Sequence, residues 1–381
     1  VQAPQFGICL WWSIEEAWWA IIAAVLWGFR RAFRVPGEPY KVPGEDVEPS
    51  VEGVNADYGL LSYAYMAADS DRNKLFLEAL REARVKGCAA LEIGCGALAP
   101  LTEILVSEGA AEIAAIEGNH WAAKRAAARL HGRARVYAGV SSELAGDQHT
   151  GALGNAEVVI CEAVGDIGSS EWMISTYLDA RGRLCRPCAV WVPGRVVTWI
   201  APMAAPLDWG AGPVPPGLWT LGSDAEPEKR LLAEPEQLES YDFNAFSEEK
   251  MLLQANEFTF TATRADLFGG FLLWVEVWPS SKPGAPSVSA LRPDSVNWQP
   301  VYVATPTREL QAGDSIRCLT LVQCVGDLPK GIREDKAAGP FVRIALLKDE
   351  QDCDKPQVEG TVEIAGSQTY IDFDQRGHEL P

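Results

Sequence analysis

Apolar positions follow two different rhythms along this chain. Between residues 89 and 162 short apolar runs alternate with amphipathic stretches. Ala89–Ile93, Glu112–Glu117, Ala134–Ala138 and Glu157–Glu162 read as strands, with helices over Pro100–Ser107 and His120–Leu130. That alternation predicts a doubly wound parallel sheet. Upstream, the pattern is helical from Asp57 to about Ala83, with Leu75, Leu77 and Leu80 marking an apolar side. Helical character fades after Trp172–Ala180, and Val192-Pro193-Gly194-Arg195 reads as a boundary. Beyond it Glu257–Ala262, Gly270–Trp278, Val301–Ala304, Ser315–Val325 and Val342–Leu347 are apolar or alternating runs split by turns. They predict a mainly antiparallel, barrel-like β domain. The Pro- and Gly-rich insert Ala201–Phe246 reads as an arm or a partner surface.

The N-terminal segment breaks both rhythms. Phe6–Phe29 is apolar almost throughout and is followed by Arg30, Arg31 and Arg34. As a helix it would reach roughly 36 Å, enough to cross a bilayer. Glu15 and Glu16 oppose a simple span, being costly near a bilayer centre unless packed against protein. Three readings stay open: a membrane span, a helix docked in a larger membrane complex, or a helix packed on its own domain. Membrane association, with an organelle as one option and the compartment left open, is the expectation over a soluble cytoplasmic location. The expected division is a hydrophobic helix over 1–34 serving as a membrane or complex anchor, a Pro/Gly/acid-rich linker over 35–56, a doubly wound domain over 57–195, and a β domain over 196–381 with its insert at 201–246.

Within the doubly wound region, Ala89-Ala-Leu-Glu-Ile-Gly-Cys-Gly96 runs from a strand through a glycine turn into a helix. The next strand ends in Ile116-Glu117. Gly94 and Gly96 let a ligand approach the backbone, the helix presents unpaired N–H groups, and Glu117 can accept from two ribose hydroxyls. The interval of about 20 residues between glycines and acid suits a nucleoside site.

Composition narrows the partners. A chain of 381 residues, 48% hydrophobic and 22% charged, has ample core for two domains. The net charge of -19 argues against a nucleic-acid binder and fits a basic partner. Nine scattered cysteines do not make a disulfide framework, and Cys185-x-x-Cys188 lacks the second pair that a metal site needs. No metal is expected. No histidine lies between residues 150 and 377, which disfavours Ser-His-Asp chemistry there.

Four segments carry a family resemblance. The Gly94–Gly96 turn with Glu117 is the first, and Ser62-Tyr63-Ala64-Tyr65-Met66-Ala67-Ala68-Asp69-Ser70-Asp71-Arg72-Asn73 the second. The third is Glu162-Ala-Val-Gly-Asp-Ile-Gly-Ser-Ser-Glu171, two glutamates nine residues apart after a strand, and the fourth is Ser295-Val296-Asn297-Trp298. Taken in chain order, with the Ser62–Asn73 helix first, they resemble the protein arginine methyltransferases, over roughly residues 57 to 350. The form of the Ser62–Asn73 helix resembles the monomethylating, type III branch. The resemblance implies a Rossmann-like S-adenosylmethionine-dependent domain followed by a β domain. It also implies S-adenosylmethionine as cofactor, held by Arg72, Gly94, Gly96 and Glu117, and an arginine-containing protein substrate. The catalytic residues would be Glu162 and Glu171, because two carboxylates can hold a guanidinium through charge-assisted hydrogen bonds and aim one nitrogen at the methyl group.

The pattern departs from the family at Leu98, where the family's loop carries its third glycine, at Ser141 and Ser142 in place of a Val-Glu pair, and at Asn297 in place of a histidine. Gly165, Gly168, Ser169 and Ser170 predict a small, flexible two-glutamate loop without an aromatic wall. These departures support an alternative: a catalytically retired methyltransferase-fold subunit that docks, through Phe6–Phe29, in an organellar, respiratory or photosynthetic membrane complex.

Overall fold

A computed structural model describes residues 60–144, 151–205, 217–221, 226–245, 247–292, 298–324, 341–347, 358–365 and 368–372. The segment Phe6–Phe29, the linker at 35–56 and Asn297 lie outside the described residues. Among those described, no helix is long and apolar enough to cross a membrane.

The first described elements are two helices, where the sequence pattern reads as one helical stretch. α1 (Leu60–Ala68) stops at Asp69, whose side chain accepts the Arg72 amide and caps α2 (Ser70–Glu82). α2 buries Arg72, Phe76, Ala79 and Leu80 on one side. Leu77, expected on that face, falls off the 3.6-residue stripe and stays half-buried.

A five-stranded parallel sheet follows. Its strands are β1 (Ala89–Ile93), β2 (Glu112–Glu117), β3 (Arg135–Ala138), β4 (Ala156–Cys161) and β5 (Cys185–Val192), in the spatial order β3-β2-β1-β4-β5. Helices α3 (Pro100–Ser107), α4 (His120–Leu130) and α5 (Met173–Arg183) make the crossovers. Strand order reverses between β1 and β4, so a crevice opens beyond their carboxyl ends, where doubly wound sheets bind ligands. β5 contains Pro187 and tolerates it because it lies at the sheet edge.

The chain turns at Pro193 and Gly194 into antiparallel structure. A Cβ on Gly194 would fall 2.1 Å from the Ser281 hydroxyl, so the junction admits only glycine. One sheet orders β7 (Gly217–Thr220), β12 (Val301–Leu310), β10 (Asp266–Trp278), β6 (Arg195–Ala204) and β8 (Glu236–Asp242), with the short β11 (Val288–Ser289) on β10. The other orders β16 (Gln368–Asp372), β15 (Val358–Ala365), β14 (Phe341–Leu347), β13 (Ser315–Gln323) and β9 (Leu253–Thr261), the last preceded by the short α6 (Glu248–Leu252). The sheets adjoin at both edges, β8 against β9 and β7 against β16, which gives a barrel-like enclosure. Side-chain amides tie one seam: Gln254 bonds the Ser240 amide and carbonyl, and Asn256 donates to the Leu238 carbonyl.

The region read as an arm therefore contributes the end of β6 and the strands β7 and β8. Glu236–Asp242 pairs with β6 and buries Leu238, Glu239 and Tyr241, three consecutive or near-consecutive positions that an alternation rule does not flag. Among the described residues the most extensive hydrophobic cluster runs from Leu91 and Val159 through Tyr177 and Trp191 to Phe271 and Ile344. The parallel sheet and the β layers share it.

Candidate functional site

At the carboxyl ends of β1, β2 and β4 lies a cleft of about 950 Å³, with Arg72, Gly94, Gly96, Glu117, Glu162 and Glu171 all in its wall. The fold brings together every residue singled out as a candidate. Leu98, Ser141 and Ser142 line the same cleft.

One end is built from backbone. Gly94 and Gly96 have φ of +85° and +66°, conformations open to glycine. No atom lies within 4 Å of where a Gly94 Cβ would be, whereas one on Gly96 would meet the Tyr63 ring at 2.9 Å. Glu117 accepts the Gly96 amide at 2.7 Å and the Asn119 amide at 2.8 Å. Asn119 in turn caps α4. Burial raises the Glu117 carboxyl above its ordinary range, and the two amide bonds pull it back. The left-handed residue before α3 is Ala99, with φ 46°, and not Leu98. Leu98 packs beside Tyr63, Ala97 and Ala122 while lining the cleft.

Glu92 was not anticipated. It sits in β1 with 2% of its surface exposed, accepts from the Thr102 hydroxyl, and lines the cleft. Burial pushes its carboxyl up to about 8, against the opposing Thr102 bond. A lone acid inside the apolar run Ala-Ala-Leu-Glu-Ile was the available signal.

Arg72 joins the two ends. Its guanidinium donates to Glu162 at 2.5 Å and to the Met66 carbonyl at 3.2 Å, and it lies over the Phe76 ring. Its Nε is buried without a hydrogen-bond partner. Burial raises Glu162, and the Arg72 charge opposes the rise. Asp69, the α2 cap, is held by Arg292, which ties the cover helices to the β layers.

The other end is the loop from Glu162 to Glu171, and it is packed, contrary to the flexible loop expected. A Cβ on Gly165 would sit 2.0 Å from the Ser170 hydroxyl, and one on Gly168 2.8 Å from Val196. These glycines are small because neighbours occupy the space. The β layers hold the loop through four bonds, and a fifth braces two of the residues that make them. Gly168 N donates to Thr198 Oγ1 at 2.8 Å and Ser169 N to Glu239 Oε1 at 3.0 Å. Thr198 donates to the same Glu239 oxygen at 2.6 Å. Trp298 Nε1 donates to the Val164 carbonyl and Gln299 N to Asp166 Oδ1, both at 2.7 Å. Glu239 is fully buried and also accepts from Tyr241 at 2.8 Å. Asp166, a third acid in the loop, lines the cleft, and burial raises it to about 6. Trp172 follows Glu171 with φ 62° and an exposed side chain. Holding a bulky residue there costs on the order of 1–3 kcal/mol.

The donor set fits a nucleoside that carries an anionic group. Open backbone at Gly94 permits close approach, Glu117 keeps lone pairs for hydroxyls, and Arg72 carries an unmatched buried N–H beside the acids.

No family model and no curated protein matches this sequence. Solved structures do match. One is the Trypanosoma brucei PRMT1 enzyme–prozyme heterotetrameric complex with AdoHcy, at TM-score 0.60 and 16% identity, covering 78% of this chain and 96% of that one. Another is Arabidopsis thaliana protein arginine methyltransferase 10 in a uniquely open conformation, at TM-score 0.58 and 14% identity, covering 82% and 97%. The chain has a protein arginine methyltransferase-like fold. Residues of the parallel sheet and of the antiparallel layers both line the cleft, and the two-glutamate loop is held between them.

Proposed function

We propose that this protein is an S-adenosylmethionine-dependent N-methyltransferase acting on the guanidinium of arginine side chains in a partner protein. The observation that carries this reading is the gathering of Arg72, Gly94, Gly96, Glu117, Glu162 and Glu171 around one cleft at the strand-order reversal. In this reading Gly94, Gly96, Glu117 and Arg72 hold the cofactor, which supplies an electrophilic methyl on a sulfonium. Glu117 accepts from the ribose hydroxyls. Arg72 faces the amino-acid end and keeps Glu162 oriented. Glu162 and Glu171 grip the guanidinium, fix its plane and leave one nitrogen directed into the cleft. Methylation releases one N–H proton, and a buried carboxylate such as Glu162, raised above its ordinary range, is a better acceptor for it than an exposed one. The resemblance of Ser62–Asn73 to the monomethylating branch favours monomethylarginine as the product.

Incubation with deuteromethyl S-adenosylmethionine and arginine-containing peptides, read by mass spectrometry, tests the proposal. One labelled methyl on arginine is expected. A folded protein that binds S-adenosylhomocysteine yet labels no arginine in such peptides or in basic cellular protein would overturn it.

A second reading keeps the scaffold without turnover. Leu98 lines the cleft where the family's loop carries glycine. Phe6–Phe29 would dock the chain in a membrane complex, and the T. brucei neighbour, an enzyme–prozyme heterotetramer, makes a protein partner part of this reading. Carbonate extraction of native membranes separates the cases, since release of the full-length chain argues against an integral helix.

A further inference from the structure

Between its two glutamates the loop offers the cleft only small or medium side chains, namely Ala163, Val164, Asp166, Ile167 and Ser170, besides Gly165. Among the described residues, three aromatic ones line the cleft. Tyr63 is buried with its ring against Gly96, and Trp298 is buried with its indole N–H committed to the Val164 carbonyl. Trp172 differs from both. It directly follows Glu171, lines the cleft, and leaves 42% of its surface exposed.

Its backbone is equally unusual, with φ 62° and ψ 17°, a left-handed conformation that bulky side chains avoid. Local bonds enforce it: the Trp172 carbonyl accepts the Thr176 amide at 3.0 Å and the Ser175 hydroxyl at 2.9 Å, closing the first turn of α5. Glycine would take this position without strain. Backbone strain of this kind persists where surrounding structure over-determines it, and it concentrates at sites that handle ligands.

An aromatic face beside a carboxylate attracts a planar cation. The ring's negative face meets the charge, while the carboxylate accepts N–H bonds from its edge. Guanidinium stacks on such a face more readily than the strongly hydrated ammonium. We propose that Trp172 is the aromatic wall along which an arginine side chain enters toward Glu162 and Glu171, and that it selects guanidinium over ammonium. This role rests on reading that glutamate pair as a guanidinium site.

The test is fluorescence anisotropy with a labelled Gly/Ser peptide bearing one central arginine, and with its lysine and citrulline counterparts, in saturating S-adenosylhomocysteine. The native protein is compared with Trp172→Gly and Trp172→Phe. Glycine suits the backbone, so Trp172→Gly should fold, with a melting temperature no lower than native. The native protein should prefer arginine. Trp172→Gly should lose about 2- to 30-fold in arginine affinity, the range of a cation–π contact, with lysine and citrulline binding unchanged. Trp172→Phe should retain most of the preference. Equal arginine affinity in native protein and Trp172→Gly overturns the proposal. So does a loss confined to S-adenosylhomocysteine affinity, which would place Trp172 at the nucleoside end. A native protein that binds no arginine peptide also overturns it, and calorimetry with S-adenosylhomocysteine then shows whether the cofactor reading stands or falls with it.

Discussion

The two ends of the cleft are built in different ways. At the Gly94–Glu117 end, neighbours in sequence hold one another: Glu117 grips the amide two residues ahead, and the glycine turn 21 residues behind it. At the Glu162–Glu171 end the loop is shaped by partners from another layer, with Ser169 bonded 70 residues away and Val164 bonded 134 residues away. The first end is a local motif and the second depends on the assembled fold. Damage to the β layers should therefore reach the guanidinium end and spare the nucleoside end.

Glu239 offers the most severe way to break this arrangement. Glu239→Ala would leave Ser169 N, Thr198 and Tyr241 without their buried acceptor, and should cost about 3 kcal/mol or more in urea unfolding, together with loss of methyl transfer. Glu239→Gln should recover much of both, because an amide oxygen can still accept from Ser169 and Thr198. If Glu239→Ala transferred methyl groups as well as native protein, the β layers would not position the loop.

Next in size is Glu162→Gln. Turnover should fall on the order of 100-fold, as when one preorganised polar contact is removed from a transition state, while S-adenosylhomocysteine affinity changes little. The converse variant, Glu117→Gln, should weaken S-adenosylhomocysteine about 10-fold, the worth of one charge-assisted bond, and leave peptide binding intact. A variant that lost both ligands equally would join the two ends into one unit.

The smallest effect is a slope. Glu92 titrates near 8 in the folded chain against about 4.5 unfolded, so between these values the folded state holds more protons. Stability should then fall as pH rises through that window, by at most about 1.4 kcal/mol per unit, being greatest below it. Glu92→Gln should flatten the curve and be more stable than native protein above pH 8. An unchanged slope would mean that Glu92 is solvated.

The same contrast governs what could be read from sequence. The strands Ala89–Ile93 and Glu112–Glu117 and the helices at Pro100–Ser107 and His120–Leu130 coincide with observed elements, because their apolar period and glycine turns are local signals. The break at Asp69 is not part of the sequence reading, although an Asp directly before a helical run is a capping signal. The Glu239–Thr198–Ser169 network had no sequence signal at all. Its members meet only after β6 and β8 pair, and β8 lay within a segment that looked like an arm. The loop glycine at 168 suggests mobility for the same reason, since the side chains crowding it come from Val196, Glu239 and Thr198, whereas Gly165 is crowded from within the loop by Ser170 and Glu171. Trp172 was legible as a letter but not as an exposed, left-handed residue at the cleft mouth.

The most direct measurement is calorimetric titration of the native, full-length protein with S-adenosylhomocysteine, repeated with Glu117→Gln and Glu239→Gln. One molecule should bind per chain, with affinity reduced about 10-fold by Glu117→Gln and unchanged by Glu239→Gln. A folded native protein that gives no binding heat at several temperatures would contradict the account, and would leave the cleft as an inherited shape without its nucleoside.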